Sequence, residues 1–350
     1  MGIRRKVAIG SAVMAGTGFA CAGALALGAT AVYKLRADRL RGKVVLITGG
    51  SRGLGLAMAE EFGRRGAKLA LTARNIEELE RARTLLLERG AAKSAEDIFI
   101  FPGDLSEQEH ADEVIQQTTK HFGQIDVLVN NAGIITVGPL ENQTAEDFKK
   151  VMDANFFSGL HCTLSVLPQM LSRGAGSIVN IASVGGKIAV PHMLPYTASK
   201  FAVTGFSEGL NAELRSKGIR VTTVCPGLMR TGSHLNAQFK GDAEREYRWF
   251  SLGASLPGVS ISAKAAARKI VRAVISGRSE IAITPQAELA ARFGNLSPAA
   301  TTRLMQLVNF ALPSAVRGHA STRSGSDVRG LELSPIMPLG HAASRHYNQT

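Results

Sequence analysis

Tyr196 and Lys200 stand four residues apart where the apolar spacing predicts a helix through Thr197–Ser216. Residues at that separation share a helix face, so a phenol and an ammonium are neighbours. A phenol ordinarily titrates near a pH of about 10, too high for ready proton exchange at neutrality. An adjacent positive charge favours the phenolate and lowers that value. Such a pair is able to give and take a proton at a substrate oxygen, although alone it reads equally well as an ordinary helix contact. The second chemical feature is the run Thr48-Gly49-Gly50-Ser51-Arg52-Gly53-Leu54-Gly55. It follows the apolar stretch Val44–Ile47 and precedes the amphipathic stretch Leu56–Arg65. Glycines let backbone approach an anion closely, and the following helix N-terminus offers free N–H groups, so the run reads as a phosphate cradle.

The elements that must position these groups alternate along the chain. Strands are predicted at 44–47, 68–72, 98–101, 127–130, 177–181, 221–224 and 281–284. Helices are predicted between them at 56–65, 76–89, 107–122, 144–171, 197–216 and 263–276. Strands that are apolar on both faces imply a parallel sheet covered by helices on each side. Right-handed crossovers then give an α/β, Rossmann-type doubly wound sheet in a single catalytic domain. Ligands of such a sheet bind beyond the carboxyl ends of the strands, where the Gly-rich run lies.

Further motifs sit at those strand ends. Asn130-Asn131-Ala132-Gly133 closes the fourth strand, Asn155 lies in the long helix, and Ser183 follows the fifth strand. Tyr196-x-x-x-Lys200 opens the next helix, and Pro226-Gly227, with Thr231 beyond, follows the sixth strand. This ordered set resembles the classical short-chain dehydrogenase/reductase family over about residues 42–285. The resemblance implies a catalytic set of Asn155, Ser183, Tyr196 and Lys200. Tyr196 is then the general acid in reduction, and Lys200 binds the nicotinamide ribose while lowering the tyrosine's pKa together with the oxidised ring. Ser183 holds the substrate oxygen, and Asn155 fixes a water that links Lys200 to solvent. It also implies nicotinamide-nucleotide contacts at Thr48, Gly49, Ser51, Arg52, Gly53, Leu54, Gly55, Asn131, Ala132, Gly133, Pro226, Gly227 and Thr231, with Asp104 and Leu105 at the adenine.

Charge chooses between the two nicotinamide cofactors. An acid at the end of the second strand would hold the ribose hydroxyl of NAD and repel an added phosphate. Ala73 stands there, followed by Arg74, with Arg52 inside the Gly-rich run. Two guanidinium groups suit a 2′-phosphate, so NADPH/NADP is expected before NAD. No metal is required. The eight histidines are scattered, and no HExxH or CxxC spacing occurs. Cys162, Cys225 and His161 read as core residues.

The formal net charge is +13, but it lies at the ends. Residues 1–43 carry +7 and residues 285–350 carry +3, leaving only +3 on the 241 residues between. A nucleic-acid partner would place its excess on the folded body, so none is expected. Val7–Tyr33 is an uncharged run of 27 residues with basic residues on both flanks. It is long enough to span a bilayer, which gives an N-terminal segment, 1–41, with a transmembrane anchor at about 7–33. A cleaved signal peptide or a peripheral segment are the rivals. The small residues Gly16, Ala20, Ala24 and Gly28 recur every four positions, as in packed transmembrane helices and as in any Ala/Gly-rich stretch by chance. The slightly more basic C-terminal flank favours a single-pass protein whose catalytic domain faces the cytoplasm. After the domain at 42–285, a helical extension is expected at 286–313. Ser297-Pro298 reads as a helix start within it, with Leu304, Leu307, Val308 and Ala311 on one face for the domain, a partner subunit or the membrane surface, the domain being the commonest outcome. A disordered tail is expected at 314–350.

The segment Leu228–Ser260 covers the substrate in the family it resembles. Here it holds Met229, Leu235, Phe239, Tyr247, Trp249, Phe250 and Leu252, interleaved with Lys240, Arg245 and Arg248. An apolar lid suits a lipophilic carbonyl, and simple closure of the domain is the alternative. The expectation is an NADPH-dependent reductase of a ketone or aldehyde, homodimeric or homotetrameric through the helices at 144–171 and 197–216. An alcohol or hydroxysteroid-type dehydrogenase working in the oxidative direction, and an idle NADP-sensing protein, are the alternatives.

Overall fold

The computed structural model describes residues 40–255, 260–318, 321–328 and 343–349. The expected anchor at 7–33 lies outside them. Among the described residues no helix is long and apolar enough to cross a membrane.

Seven parallel strands form one sheet: β1 Val44–Thr48, β2 Lys68–Ala73, β3 Ile98–Pro102, β4 Val127–Asn130, β5 Gly176–Ile181, β6 Ile219–Cys225 and β7 Glu280–Ala282. Their order across the sheet is β7-β6-β5-β4-β1-β2-β3. The order reverses between β1 and β4, the switch point where a doubly wound sheet opens a crevice. The helices are α1 Gly53–Gly63, α2 Ile76–Glu88, α3 Gln108–Phe122, α4 Ala145–Met152, α5 Ser158–Ser172, α6 Leu194–Leu214, α7 Ala243–Ser255, α8 Ala263–Ser276, α9 Pro285–Leu296 and α10 Pro298–Phe310.

Successive strand residues face opposite sides, and both sides are buried. Val45 and Ile47 of β1 pack under α1, α2 and α8. Leu46, between them, packs with Val114 of α3, Val166 of α5 and Leu214 of α6. A third apolar cluster, Val137, Met193, Phe239, Tyr247 and Phe250, lies apart from the sheet under α7.

The long helix expected over 144–171 is interrupted. A capping box of Thr144 and Asp147 starts α4, and a wider π turn over Asp153–Phe157 joins it to α5. A π turn inserts one residue into the helical register and re-aims the side chains on it. Asn155 is one of those residues.

The end of the chain departs from expectation in two ways. The apolar face of α10 does not pack on the body: Leu307 is 66% exposed and Phe310 86%. On α9, Leu289 and Leu296 are also exposed. Periodicity marks these residues as one face but holds no information about what meets it. Conversely, parts of the tail expected to lack structure lie against the body. Arg323–Ser324 pairs antiparallel with Gln238–Phe239. Ala343–Gln349 docks beside the Gly-rich run, with Tyr347 in the core around β1 and α1. The tail is polar and without a period, so its order comes from specific hydrogen bonds, which composition does not report.

Candidate active site

The Gly-rich run turns sharply between β1 and α1. Gly49 and Gly53 hold φ of +61° and +57°, a region that L side chains rarely enter. A Cβ on Gly55 would lie 2.1 Å from the Gly49 carbonyl oxygen, so only glycine lets α1 start this close to β1. The Asn130–Gly133 turn is stitched to this loop. The Thr48 hydroxyl accepts from the backbone N–H groups of Asn131 and Ala132, both at 2.9 Å. The Asn131 carboxamide donates back to the Thr48 carbonyl at 2.9 Å.

These loops wall one end of a cavity of about 630 Å³. Gly49, Ser51, Arg52, Gly53, Leu54, Arg74, Asp104, Leu105, Asn131, Ala132 and Gly133 reach it, as do Ser183, Tyr196, Lys200, Pro226, Gly227 and Thr231. Thr48, Gly55 and Asn155 are not part of its wall; they shape it from behind.

At the catalytic end, the Ser183 hydroxyl accepts from the Gly185 N–H at 3.0 Å and is hydrogen-bonded to the Tyr196 phenol. Burial pushes the Tyr196 phenol above its usual value, and the Ser183 bond opposes that only in part. The Lys200 ammonium lies 5.7 Å from the ring centroid and donates to the Ile181 carbonyl at 2.9 Å; the lowered phenol expected above rests on this ammonium together with the oxidised nicotinamide. Lys200 is only 5% exposed, and burial lowers its pKa to about 8. Asn155 accepts from the Ile134 N–H at 2.7 Å and donates to the Ile134 carbonyl and to the Ser199 hydroxyl. Its carboxamide therefore fixes the backbone just after Gly133. A Cβ on Gly133 would stand 2.8 Å from Asn155 Oδ1 and 3.7 Å from Lys200 Nζ.

At the far end, Arg74 is exposed at the cavity rim. Arg52 forms an ion pair with Glu78 of α2 at 3.1 Å, and Ser51 donates to the other oxygen of that carboxylate at 3.0 Å. Sequence reading missed Glu78, because nothing in its spacing ties α2 to the Gly-rich loop. Asp104 turns one oxygen onto Ser106, whose N–H and hydroxyl both donate to it.

The expected lid divides into two groups. Tyr247, Phe239 and Leu235 are buried and close the domain, whereas Met229, Trp249 and Phe250 reach the cavity. Lys240 is buried in an ion pair with Asp147, and Arg245 is exposed beside Asp242. A second missed group anchors the lid. The fully buried Glu246 carboxylate bonds His192 Nδ1 at 2.7 Å and accepts from the Trp249 indole N–H at 2.6 Å. Burial raises the thiols of Cys162 and Cys225 to about 12. No group of three or more His, Cys, Asp or Glu able to hold a metal occurs among the described residues.

A phosphate cradle beside a tyrosine–serine–lysine cluster, on a 3-2-1-4-5-6-7 parallel sheet, invites comparison with known proteins. The family model described as short chain dehydrogenase matches residues 43–240.

The chain belongs to the short-chain dehydrogenase family.

It is 37% identical over 255 residues to the "Dehydrogenase/reductase SDR family protein 7-like" of Anopheles gambiae, covering 73% of this chain and 79% of that protein. It is also 37% identical to the "11-beta-hydroxysteroid dehydrogenase-like 2" of Arabidopsis thaliana, over 59% of this chain and 65% of that relative's length. A crystal structure of a short-chain dehydrogenase/reductase from Burkholderia phymatum, in complex with NAD, superposes with a TM-score of 0.66 at 27% identity. That match covers 75% of this chain and 95% of the other. This short-chain dehydrogenase is thus an oxidoreductase of the kind that acts on CH–OH groups, with a small-molecule substrate and an NAD(P) nucleotide. The glycine cradle fits that group: Gly49 and Gly53 present backbone at the cavity wall, and Gly55 lets the N-terminus of α1 start close behind it.

Proposed function

We propose that this short-chain dehydrogenase is an NADPH-dependent carbonyl reductase acting on a lipophilic ketone or aldehyde at a membrane. The convergence of Tyr196, Ser183 and Lys200 on one cavity with the glycine cradle carries this reading. Backbone at Gly49–Gly55 and Asn131–Gly133 holds the dinucleotide, which when bound supplies the hydride. Ser183 and Tyr196 together hold the carbonyl oxygen. Two hydroxyl donors in a partly dry site stabilise the charge that grows on that oxygen far better than water does. The Tyr196 O–H then passes its proton to it. The raised phenol pKa keeps that proton in place at neutral pH, as an acid requires. Lys200, charged below about pH 8, favours the phenolate left behind. Asn155, through its bonds to the Ile134 backbone, holds the segment next to the ammonium in register.

The preference for NADPH is supported by Ala73, Arg74 and Arg52 at the ribose end, although Glu78 holds Arg52 in an ion pair that a 2′-phosphate must replace. Lipophilic substrate and membrane association are supported by the Met229, Trp249 and Phe250 wall and by the uncharged run at 7–33. They are further supported by the exposed face of α9–α10, whose Met305 reaches the cavity. Residues 285–317 carry three arginines and one glutamate, a balance that suits anionic head groups. The exposed Phe157, Leu164 and Leu171 recur every seven residues beside exposed Phe201 of α6 and support a homodimer through these helices.

The test follows NADPH oxidation with short, long-chain and cyclic ketones beside Tyr196→Phe. Turnover of the apolar ketones, lost in the variant, is expected. NADPH binding with no turnover of any carbonyl overturns the reading.

A further inference from the structure

The mechanism leaves one feature unused: the chain's own last residues lie in the phosphate end of the cavity. Gly53 opens α1, and its N–H is one of the free donors of a helix N-terminus that an anion seeks. In this structure it donates to the Tyr347 carbonyl at 2.9 Å. Gln349 forms part of the cavity wall next to Ser51, Arg52 and Gly53. Its amide nitrogen lies 2.5 Å from where a Cβ on Gly53 would stand.

The docking is built from directed bonds. Asn348 is buried and takes φ +55°, which asparagine tolerates better than most residues. Its Nδ2 donates to the carbonyls of Ser51 at 2.9 Å and Glu78 at 3.0 Å. Its Oδ1 accepts from Arg81 at 3.1 Å. The Asn348 side chain thus binds both halves of the Ser51–Arg52–Glu78 cluster. Arg89 donates to the His346 carbonyl at 2.6 Å, and Tyr347 is buried in the core. At the other edge, Asn236 of the lid segment donates to the Gln349 side chain at 2.6 Å. Ser344 packs so closely on Gly232 that a Cβ there would fall 2.5 Å from its own. The tail therefore spans from the glycine cradle to the loop that covers the substrate.

We infer that Tyr347–Gln349 is an intramolecular competitor of the dinucleotide, a C-terminal gate that must leave the Gly53 N–H before the phosphates take it. This rests on the nucleotide site described above. A single N–H does not serve two acceptors at full strength, and the Gln349 side chain and a pyrophosphate claim the same space. Apparent affinity is then the intrinsic affinity scaled by the fraction of molecules with the tail released. Release also frees Asn236 and Gly232, so one event opens both ends of the cavity.

The test compares the full chain, a chain ending at residue 342 and full-length Asn348→Ala, titrated with NADPH by quenching of the Trp249 fluorescence. Hydrogen exchange of the 343–349 peptide is followed in the full chain. Truncation and Asn348→Ala should each bind NADPH at least threefold more tightly, and NADPH should speed exchange across 343–349. Unchanged or weaker binding in Asn348→Ala, or NADPH-induced protection of 343–349, overturns the gate. The full-length variant decides the matter if the truncated chain does not fold. Failure of every form to bind either NADPH or NADH would instead overturn the nucleotide site itself.

Discussion

The Lys200 ammonium lies 5.7 Å from the centre of the Tyr196 ring but donates its hydrogen bond to the Ile181 carbonyl at 2.9 Å. Lysine thus acts on the phenol through space, with its own charge weakened by burial. Reduction needs Tyr196 protonated and Lys200 charged. Activity measured as kcat/KM should therefore fall as pH rises through about 8, where Lys200 loses its proton. Tyr196→Phe should lower kcat by about 100- to 10,000-fold while leaving NADPH affinity intact, read by turnover beside a binding titration.

The same lysine gives a stability signature. Folded, it releases its proton near pH 8; its ordinary value is 10.5. Between those values the unfolded chain binds more protons, so this group's contribution to stability rises with pH. Below pH 8 both states are charged, and the burial penalty is present in full. Lys200→Met should raise the melting temperature at pH 7 and remove the rise between pH 8 and 10. An unchanged pH profile of the melting temperature in the variant would contradict the burial argument.

Much of this is legible in the sequence. Strand positions were readable because both faces of the sheet are buried, which writes continuous apolar runs such as Val44–Ile47 into the chain. Tyr196, Lys200 and the glycines were readable because their chemistry needs fixed spacing. Glu78, His192 and Glu246 were not, since each meets its partner only after distant segments fold together. The tail was missed for the same reason: Asn348 holds Ser51 across nearly the whole length of the chain. The π turn at Asn155 was missed because its residues continue the helical pattern unbroken.

Gly133 has no room for a side chain against Asn155, whose Oδ1 would lie 2.8 Å from its Cβ. Gly133→Ala should press Asn155 off the Ile134 backbone, at a cost of about 1–3 kcal/mol in stability. The loss in kcat should exceed what that destabilisation explains, because Ile134, whose backbone Asn155 holds, forms part of the cavity wall. Thermal melting and single-turnover reduction, measured on the same sample, separate the two effects.

Cofactor choice turns on who holds Arg52. Arg74→Asp should abolish the preference for NADPH over NADH, a change of at least tenfold in the ratio of their KM values, or about 1.4 kcal/mol. Glu78→Gln removes the carboxylate that occupies Arg52 and should sharpen the same preference severalfold.

The lid rests on one buried carboxylate. Glu246 is fully buried and joins His192, ahead of α6, to Trp249, which walls the substrate end. Removing it takes one carboxylate partner from the buried His192 ring and from the half-buried Trp249 indole, and a hydrogen bond to a charged group is worth about 1.5–3 kcal/mol. Glu246→Ala should therefore lower the melting temperature by many degrees. It should also raise KM for bulky ketones more than for short ones, because Trp249 loses its fixed orientation. Glu246→Gln keeps one acceptor oxygen and should restore most of the stability. Equal KM increases for large and small ketones would show that Trp249 does not shape the substrate wall.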